Sequence, residues 1–330
     1  MRKLSICSVL LSTVFAASAA DFSFALWGDM PYGKNNDARQ TQAVIDSINA
    51  SDVAFSIFDG DFKDGSSTCH DALYTQTLNT FNAMHKPLVY VPGDNEWTDC
   101  HRTNNGGFNA LERLSLIRRT FFASSESLGQ KKMRLAQQGN AGDPFSENTR
   151  FVHQGIVFVG LNVPGSNNNL VMSPKECTHK SARTQADCDA ANAEFIERDN
   201  ANVEWLKAAF ATAKSQSARG VVVVIQANPG FDLSETWPLD ESTLPEYSGY
   251  RHWMSALVAE TEGFSGQVLL VHGDDHFFKI DKPLYSPLRM LKNFTRVQTF
   301  GSPSNHWVKV TVEGSQPQVF TLQPVMVEGH

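Results

Sequence analysis

Gly-Asp dipeptides at regular spacing constrain the fold of this chain more than any other feature. Gly28-Asp29, Gly60-Asp61 and Gly93-Asp94 each directly follow a short apolar run, and the three aspartates are 32 and 33 residues apart. This spacing is about the length of one β-strand with its crossover helix. Because such crossovers are right-handed and make the strands parallel, we expect the three dipeptides at the carboxyl edge of one sheet.

The first hundred residues read as a βαβαβ unit. Short β-prone apolar runs predict three strands, and amphipathic segments predict the helices between them. The strands are expected at 22–27, 53–58 and 87–91, and the helices open near residue 37 and cover 71–84.

The second half continues the alternation and ends in a β-rich tail. Strands are expected at 151–162, 220–226 and 267–271, helices at 111–122, 195–216 and 247–262, and antiparallel strands at 296–300, 307–312 and 318–322. The Asn/Ser-rich segment 163–195 is typical of a surface insertion. We therefore expect one α/β domain over residues 21–330.

The first twenty residues and the overall charge bear on location and partners. Arg2 and Lys3 precede an apolar stretch over 4–16 and small residues over 17–20, the order of a secretory signal. The stretch is shorter than the ~20 apolar residues of a membrane span. We expect export, to the periplasm or beyond, without a membrane span. A formal charge of −7 and no dense basic run argue against nucleic acid as the main partner.

Four cysteines remain after residue 20, an even number that suits an exported protein. Sequence order favours a local Cys177–Cys188 pair, which leaves Cys69 to pair with Cys100. Four free thiols are the alternative. A structural zinc site is disfavoured because the chain has no Cys-x-x-Cys pair.

A fourth Gly-Asp, at Asp274, also follows an apolar strand and leads to His276. Four carboxylates at one sheet edge would repel one another strongly, and a cation is the simplest remedy. Carboxylates joined by one imidazole suit one or two divalent metal ions. Gly-Asp after a strand is also ordinary turn chemistry, in which Asp caps the next helix. That alternative explains one dipeptide better than it explains four.

These residues occur in an order that resembles the signature of calcineurin-like metallophosphoesterases. The family pattern runs Asp-x-His, Gly-Asp-x-x-Asp, Gly-Asn-His-Asp/Glu, a lone His and Gly-His-x-His. The matching segments span most of the chain after residue 20: Gly28-Asp29, Gly60-Asp61-Phe62-Lys63-Asp64, Gly93-Asp94-Asn95-Glu96, Gln226 and Gly273-Asp274-Asp275-His276.

The resemblance implies a four-layer α/β/β/α sandwich of two mixed β-sheets flanked by helices. It also implies two divalent metal ions and hydrolysis of a small-molecule phosphoester, either a monoester or a diester, by metal-activated water. Carried over by position, the first metal would be held by Asp29, Asp61 and His276, and the second by Asp61, Asp94, Gln226 and Asp274.

Departures from the family pattern qualify these expectations. Pro31 stands at the first histidine position and cannot bind metal, although Tyr32 beside it is a possible substitute. Asp94, Gln226 and Asp274 replace an asparagine and two histidines. Because these three replacements offer oxygen, the site favours Mn²⁺, Mg²⁺ or Ca²⁺ over Zn²⁺ or iron.

The catalytic position of the family holds Asn95 instead of histidine, so the usual proton donor to the leaving group is missing. His101 and His306 are the candidate donors, although a lone histidine is more often a surface or core residue. Lys63 and Arg102 follow the metal motifs and are candidates to bind the phosphate. Solvated surface charge is the equally weighted alternative for both.

Two functional classes follow. The favoured one is an exported metal-dependent phosphoesterase. The alternative is a degenerate member that keeps the fold as a binding or scaffold module, with at most one structural cation. A Rossmann-type nucleotide binder is set aside because Gly-x-Gly-x-x-Gly does not follow the first strand.

Overall fold

Alternating apolar runs and amphipathic segments of the sequence become alternating strands and helices in the structure. The computed structural model describes residues 21–33, 37–232, 239–286, 289–314 and 316–328, so the predicted signal segment 1–20 lies outside the described residues. The helices are α1 (Asp37–Ala50), α2 (Asp71–Ala83), α3 (Ala110–Phe121), α4 (Pro174–Thr178), α5 (Gln185–Ser215) and α6 (Arg251–Glu262). Short 3-10 turns cover Thr98–His101, Thr103–Asn105, Glu241–Thr243 and Pro245–Tyr250.

The strands form two mixed sheets and one small hairpin. They are β1 (Phe22–Trp27), β2 (Ser56–Phe58), β3 (Leu88–Tyr90), β4 (Ala136–Gln137), β5 (Thr149–His153), β6 (Ile156–Gly160), β7 (Gly220–Val224), β8 (Gln267–His272), β9 (Lys279–Asp281), β10 (Tyr285–Ser286), β11 (Arg289–Met290), β12 (Phe294–Gln298), β13 (Trp307–Val312) and β14 (Phe320–Val325). The first sheet has the order β14-β13-β1-β2-β3 and the second β4-β5-β6-β7-β8-β12-β9, while β10 pairs with β11.

Parallel pairing in the centre of each sheet sets the position of the Gly-Asp turns. β1, β2 and β3 are parallel to one another, as the dipeptide spacing predicts. β6, β7, β8 and β12 are parallel in the second sheet. The carboxyl ends of three strands in one sheet and of β7 and β8 in the other therefore carry the predicted site residues.

Three apolar clusters produce the four layers. One lies between the two sheets and includes Phe24, Phe55 and Phe158. A second packs α1, α2 and α3 on the outer face of the first sheet, and a third packs α5 and α6 on the outer face of the second. The α/β/β/α sandwich of two mixed sheets is confirmed.

Three elements differ most from the sequence prediction. The single strand expected at 151–162 is an antiparallel pair, β5 and β6, because residues 154–155 form a turn. The strand expected as antiparallel at 296–300 is β12, which pairs parallel with β8 and antiparallel with β9. The helix expected at 195–216 begins ten residues earlier, at Gln185. Its start is fixed by a capping box, in which Thr184 accepts from the Asp187 backbone and the Asp187 side chain accepts from Thr184.

Two disulfides are present, Cys69–Cys100 and Cys177–Cys188, so the pairing favoured by the sequence is confirmed. The first joins the loops after β2 and β3, and both of its sulfurs lie 3.7 Å from the Asn95 carbonyl. Disulfides of this kind persist in oxidising compartments. Within the described ranges, no helix is long and apolar enough to cross a membrane.

We predict that the double substitution Cys69→Ala and Cys100→Ala lowers the free energy of unfolding by about 3–4 kcal/mol, because the bridge closes a loop of 31 residues in the unfolded chain. Urea unfolding followed by far-ultraviolet circular dichroism measures this. The control removes Cys177–Cys188, which closes only 11 residues and should cost about 3 kcal/mol. An unchanged unfolding midpoint for the first double variant would contradict the prediction.

Candidate metal centre

Four carboxylates from both sheets meet where the parallel strands end. Asp29, Asp61 and Asp94 follow β1, β2 and β3, and Asp274 follows β8. The backbone N–H of Asp274 lies 3.2 Å from Asp29 Oδ2, which joins the turns of the two sheets. Asp29, Asp61 and Asp94 are buried, whereas Asp274 is partly exposed at the rim. We call these four residues the carboxylate cluster.

Three of the four glycines make room for a carboxylate that follows another strand, and Gly60 makes room for the Gln226 side chain. A Cβ atom on Gly93 would overlap Asp61 Oδ1, and one on Gly273 would overlap Asp29 Oδ2. The Gly-Asp motif therefore has a packing cause, because only a residue without a side chain lets these carboxylates approach so closely.

Backbone strain is concentrated in the same turns. Asp29, Asp61, Asp274 and His276 have φ values of 52°, 61°, 80° and 61°, in the left-handed region that non-glycine residues rarely adopt. Such conformations cost about 1–3 kcal/mol each and gather at functional sites. Strained conformations at three residues of the carboxylate cluster and at His276 beside it point to a functional role for this region.

Tyr32 closes one side of the cluster. Its hydroxyl lies 3.2 Å from Asp29 Oδ1, 3.1 Å from Asp61 Oδ2 and 3.1 Å from His276 Nε2. His276 donates its Nδ1–H to the Ser302 carbonyl at 2.7 Å, so its Nε2 lone pair faces the hydroxyl. A backbone carbonyl fixes the tautomer of many metal-binding histidines in this way. The structure thus places the Tyr32 hydroxyl in contact with Asp29, Asp61 and His276.

Two buried side chains hold Tyr32 in this place. Asp37, at the start of α1, accepts a hydrogen bond from the Tyr32 backbone N–H through Oδ2. Asn305 donates its amide to Asp37 Oδ1. The segment before β13 therefore fixes the loop after β1.

Gln226, two residues beyond β7, closes the other side. Its Nε2 lies 3.2–3.3 Å from Asp61 Oδ2, Asp94 Oδ1 and Asp274 Oδ1. Its Oε1 accepts the Gly165 N–H at 2.6 Å, which fixes the amide with its nitrogen toward the carboxylates. In this structure Gln226 donates to the cluster through its nitrogen, whereas the sequence led us to expect an oxygen ligand. The sequence does not reveal this orientation, because the partner of Oε1 is remote along the chain.

Asn95 and Glu96 hold Asp61 in place by hydrogen bonds. The Asn95 side chain donates to Asp61 Oδ2 at 2.6 Å and its backbone N–H donates to Asp61 Oδ1 at 3.0 Å. Glu96 Oε1 accepts the N–H groups of Asp61 and Gly93 and the hydroxyl of Tyr90. Asn95 thus orients Asp61. Glu96 was not predicted as a site residue, although its place at the end of Gly-Asp-Asn-Glu could have suggested it.

Two of the remaining predicted residues face away from the cluster. Lys63 is buried and donates its Nζ to the carbonyls of Asp64 and Asn95, at 2.7 and 2.8 Å. Lys63 therefore braces the Asn95 loop, which argues against direct contact with a phosphate. His306 packs edge-on against Phe300 and its Nδ1 accepts the Val327 N–H. This is a core position, which argues against a proton-donor role.

His101 and Arg102 instead line a cavity beside Asp94. Burial and the charges of Arg183 and Arg102 lower the pKa of His101 to about 3, so its ring is neutral at pH 7 and carries no imidazolium proton to donate. Arg102 pairs with Asp99 at 2.6 Å.

Ser166 is a contact that the sequence did not suggest. Its hydroxyl lies 2.7 Å from Asp94 Oδ2 and 2.8 Å from Asp99 Oδ1, on a left-handed turn over Gly165–Asn168. Arg198 of α5 holds that turn by donating to the Asn168 carbonyl at 2.9 Å. The turn has no motif of its own, so only the fold reveals it.

Burial and mutual repulsion raise the pKa of three carboxyls, Asp29, Asp61 and Asp274. Burial, then the charges of Asp59 and Asp274, raises the pKa of Asp29 well above its usual value. Burial and the charge of Asp94 do the same to the pKa of Asp61 and of Asp274. In the absence of a cation, the fold therefore favours protonated carboxyls here.

Solved structures with a similar fold exist. The structure of PhoD aligns with 93% of this chain and 70% of its own at 11% identity, with a TM-score of 0.50. A dimetal phosphatase from Danio rerio covers 93% of this chain and 99% of its own at 13% identity (TM-score 0.47), and GAP50, the anchor in the inner membrane complex of Plasmodium, covers 94% and 90% at 14% identity (TM-score 0.44). No family model and no curated protein matches the sequence.

The chain has the fold of the calcineurin-like metallophosphoesterases. This agrees with the ordered Gly-Asp motifs of the sequence, all of which lie at the carboxyl ends of central strands in the metallophosphoesterase fold.

The metal centre implied by this fold can be tested against the residues present. Ligands about 2.1–2.4 Å from a divalent cation, at right angles to one another, are about 3.0–3.4 Å apart. The separations around the Tyr32 hydroxyl, 3.1–3.2 Å, match. Within the described ranges, no three His, Cys, Asp or Glu side chains form a metal-binding group by themselves. With the Tyr32 hydroxyl counted as a ligand, Asp29, Asp61, Tyr32 and His276 fit one cation.

The second metal position does not fit. An amide N–H group is a donor and cannot ligate a cation, yet the nitrogen of Gln226 is the group that faces Asp61, Asp94 and Asp274. The Gln226 amide already forms hydrogen bonds with the three carboxylates at this position.

We predict that the protein in chelator loses stability as the pH rises from about 4 to about 8. A carboxyl whose pKa is raised by folding keeps more protons in the folded state than in the unfolded state, so its stabilising effect is present below the unfolded pKa of about 3.9 and is lost above it. Burial raises the pKa of Asp59, behind the cluster, to about 7, which places its loss in this window. Urea unfolding at several pH values measures the slope.

Asp59→Asn is the matched control, since it removes one of these carboxyls with little change of shape. The variant should show a shallower loss of stability with pH. A metal-free protein whose stability rises over the same range would contradict the prediction.

Proposed function

We propose that this chain is a metal-dependent hydrolase of phosphoesters that acts outside the cytoplasm. The observation that carries the proposal is the convergence of Asp29, Asp61, Tyr32 and His276 at separations suited to one oxygen-rich cation site. Three oxygens and one imidazole favour Mn²⁺, Mg²⁺ or Ca²⁺. The two disulfides support an oxidising location.

The residues around the site have separate tasks in this account. A divalent cation supplies polarisation of a phosphoryl oxygen and lowers the pKa of water. Asn95 keeps Asp61 in orientation, and Arg102, anchored by Asp99, presents its guanidinium beside Asp94 for a phosphate oxygen. Asn95 cannot release a proton at neutral pH, so turnover should favour esters with acidic leaving groups.

We predict that purified protein loaded with Mn²⁺ hydrolyses 4-nitrophenyl phosphate or bis(4-nitrophenyl) phosphate, and that a chelator abolishes turnover. Asp61→Asn should lower kcat/KM by at least about 100-fold, because it removes the carboxylate that contacts both Tyr32 and Gln226. Asp46→Asn, at an exposed position on α1, is the control and should leave kcat/KM unchanged. Turnover that survives both chelator and Asp61→Asn would exclude the proposal.

A second candidate function is a binding module that keeps the fold without turnover. The amide of Gln226, in place of a second metal ligand, is the observation that favours it. Binding of Mn²⁺ by wild type, lost in Asp61→Asn, with no hydrolysis of either nitrophenyl ester would support this module over the hydrolase.

We predict one divalent cation per chain instead of the two expected from the sequence. Gln226→Glu exchanges the nitrogen that faces the carboxylates for an oxygen at nearly constant shape, while the other oxygen still accepts the Gly165 N–H. The variant should therefore bind a second cation. Native mass spectrometry with Mn²⁺ counts the ions. Two ions on the wild type, or one on Gln226→Glu, would show that the amide does not set the number.

A further inference from the structure

A large cavity opens beside the carboxylate cluster, and the proposed function alone does not specify its ligand. Its volume is about 940 Å³, within the range of small-molecule sites. Gly65, Asp99, Arg102 and Ser166 form the end nearest the cluster. Because Ser166 Oγ lies 2.7 Å from Asp94 Oδ2, this end of the cavity adjoins the cluster directly.

Cationic side chains converge along one wall. Arg102 and Arg183 both line the cavity with His101. Burial and the charges of Arg183 and Arg102 lower the pKa of His101, and burial lowers the pKa of Arg183. The Nδ1 atom of His101 is buried and makes no hydrogen bond to any described residue. Two arginines beside an imidazole whose buried Nδ1 atom has no hydrogen-bond partner suit an anionic ligand.

Arg183 has donors to spare. Its Nε and Nη2 donate to the carbonyls of Cys177 and Glu176, each at 3.2 Å, which fixes the guanidinium against the second disulfide. Among the described residues it forms no ion pair with a carboxylate. A guanidinium has five N–H donors, so the remainder can bind an anion.

The acidic residues of the lining form no direct ion pair with Arg183 among the described residues. Asp99 is engaged by Arg102 at 2.6 Å and by Ser166 at 2.8 Å. Glu176 Oε2 accepts the Met172 N–H at 3.0 Å, and Glu246 is exposed. A ligand anion can therefore contact the Arg183 guanidinium without displacing an ion pair.

Part of the lining is apolar. Leu170, Val171 and Met172 contribute to it, and Met172 is 49% exposed although it belongs to a cavity wall. An exposed flexible methionine beside fixed cations suits a carbon skeleton that carries a charged group.

We propose that this cavity binds the alcohol part of the substrate, and that Arg183 binds a second anionic group on it, a carboxylate or a further phosphate. The inference rests on the proposed function, since it places the scissile phosphate at the carboxylate cluster. The substrate is then a small phosphoester with an anionic substituent on its leaving group.

The test compares 4-(carboxymethyl)phenyl phosphate with 4-(carbamoylmethyl)phenyl phosphate. The two esters differ in the charge of one substituent, while the methylene group keeps the acidity of their phenol leaving groups nearly equal. The ratio of their kcat/KM values should be about 10 in favour of the carboxylate for wild type and should fall to about 1 in Arg183→Gln. Arg183→Lys, which keeps the charge, should recover part of the ratio. Arg119→Gln, at an exposed position on α3, is the matched control and should keep the wild-type ratio.

Calorimetry separates this inference from the proposed function. The probes are 4-phosphonobenzoate and the analogue in which an uncharged carbamoyl group replaces the carboxylate, each bound to the Mn²⁺-loaded protein. An Arg183-dependent preference for the carboxylate without any phosphoesterase turnover would support the cavity and overturn the hydrolase. Turnover of both esters with a ratio near 1 in wild type would support the hydrolase and overturn the assignment of the cavity.

Discussion

Repulsion among four carboxylates is the constraint on which the rest of this site depends. Asp29, Asp61 and Asp94 leave one sheet and Asp274 leaves the other, and packing of the sheets forces them together. Unpaired charges this close are tolerated in a protein interior only with protons, hydrogen-bond donors or a cation among them. Nearly every unusual feature nearby supplies one of these.

The two sides of the cluster meet the constraint differently. On one side, the Tyr32 hydroxyl donates to Asp29 and Asp61 and lies beside His276 Nε2, at the place proposed for a cation. On the other, the amide of Gln226 donates to three carboxylates and is itself held by Gly165. The two sides therefore differ in chemistry, and this difference is the basis of the proposal that the site holds a single ion.

Local patterns predicted the parts of the structure that local patterns determine. The 32- and 33-residue spacing placed Asp29, Asp61 and Asp94 at one sheet edge, because strand and crossover lengths set it. The orientation of Gln226 and the contact of Ser166 with Asp94 depend on a turn fixed by Arg198, and no short motif encodes them. Alternation of apolar and polar residues predicted a strand at β12, but such a pattern does not give the direction of a strand. The expected antiparallel pairing with its neighbours was therefore wrong for β8.

Anomalous diffraction from a crystal of the protein soaked in Mn²⁺ tests the central claim most directly. The account predicts one strong peak within coordinating distance of Asp29, Asp61, Tyr32 and His276, with the Gln226 amide still turned toward Asp94. No peak at that place, or an equal second peak between Asp94, Asp274 and Gln226, would contradict it.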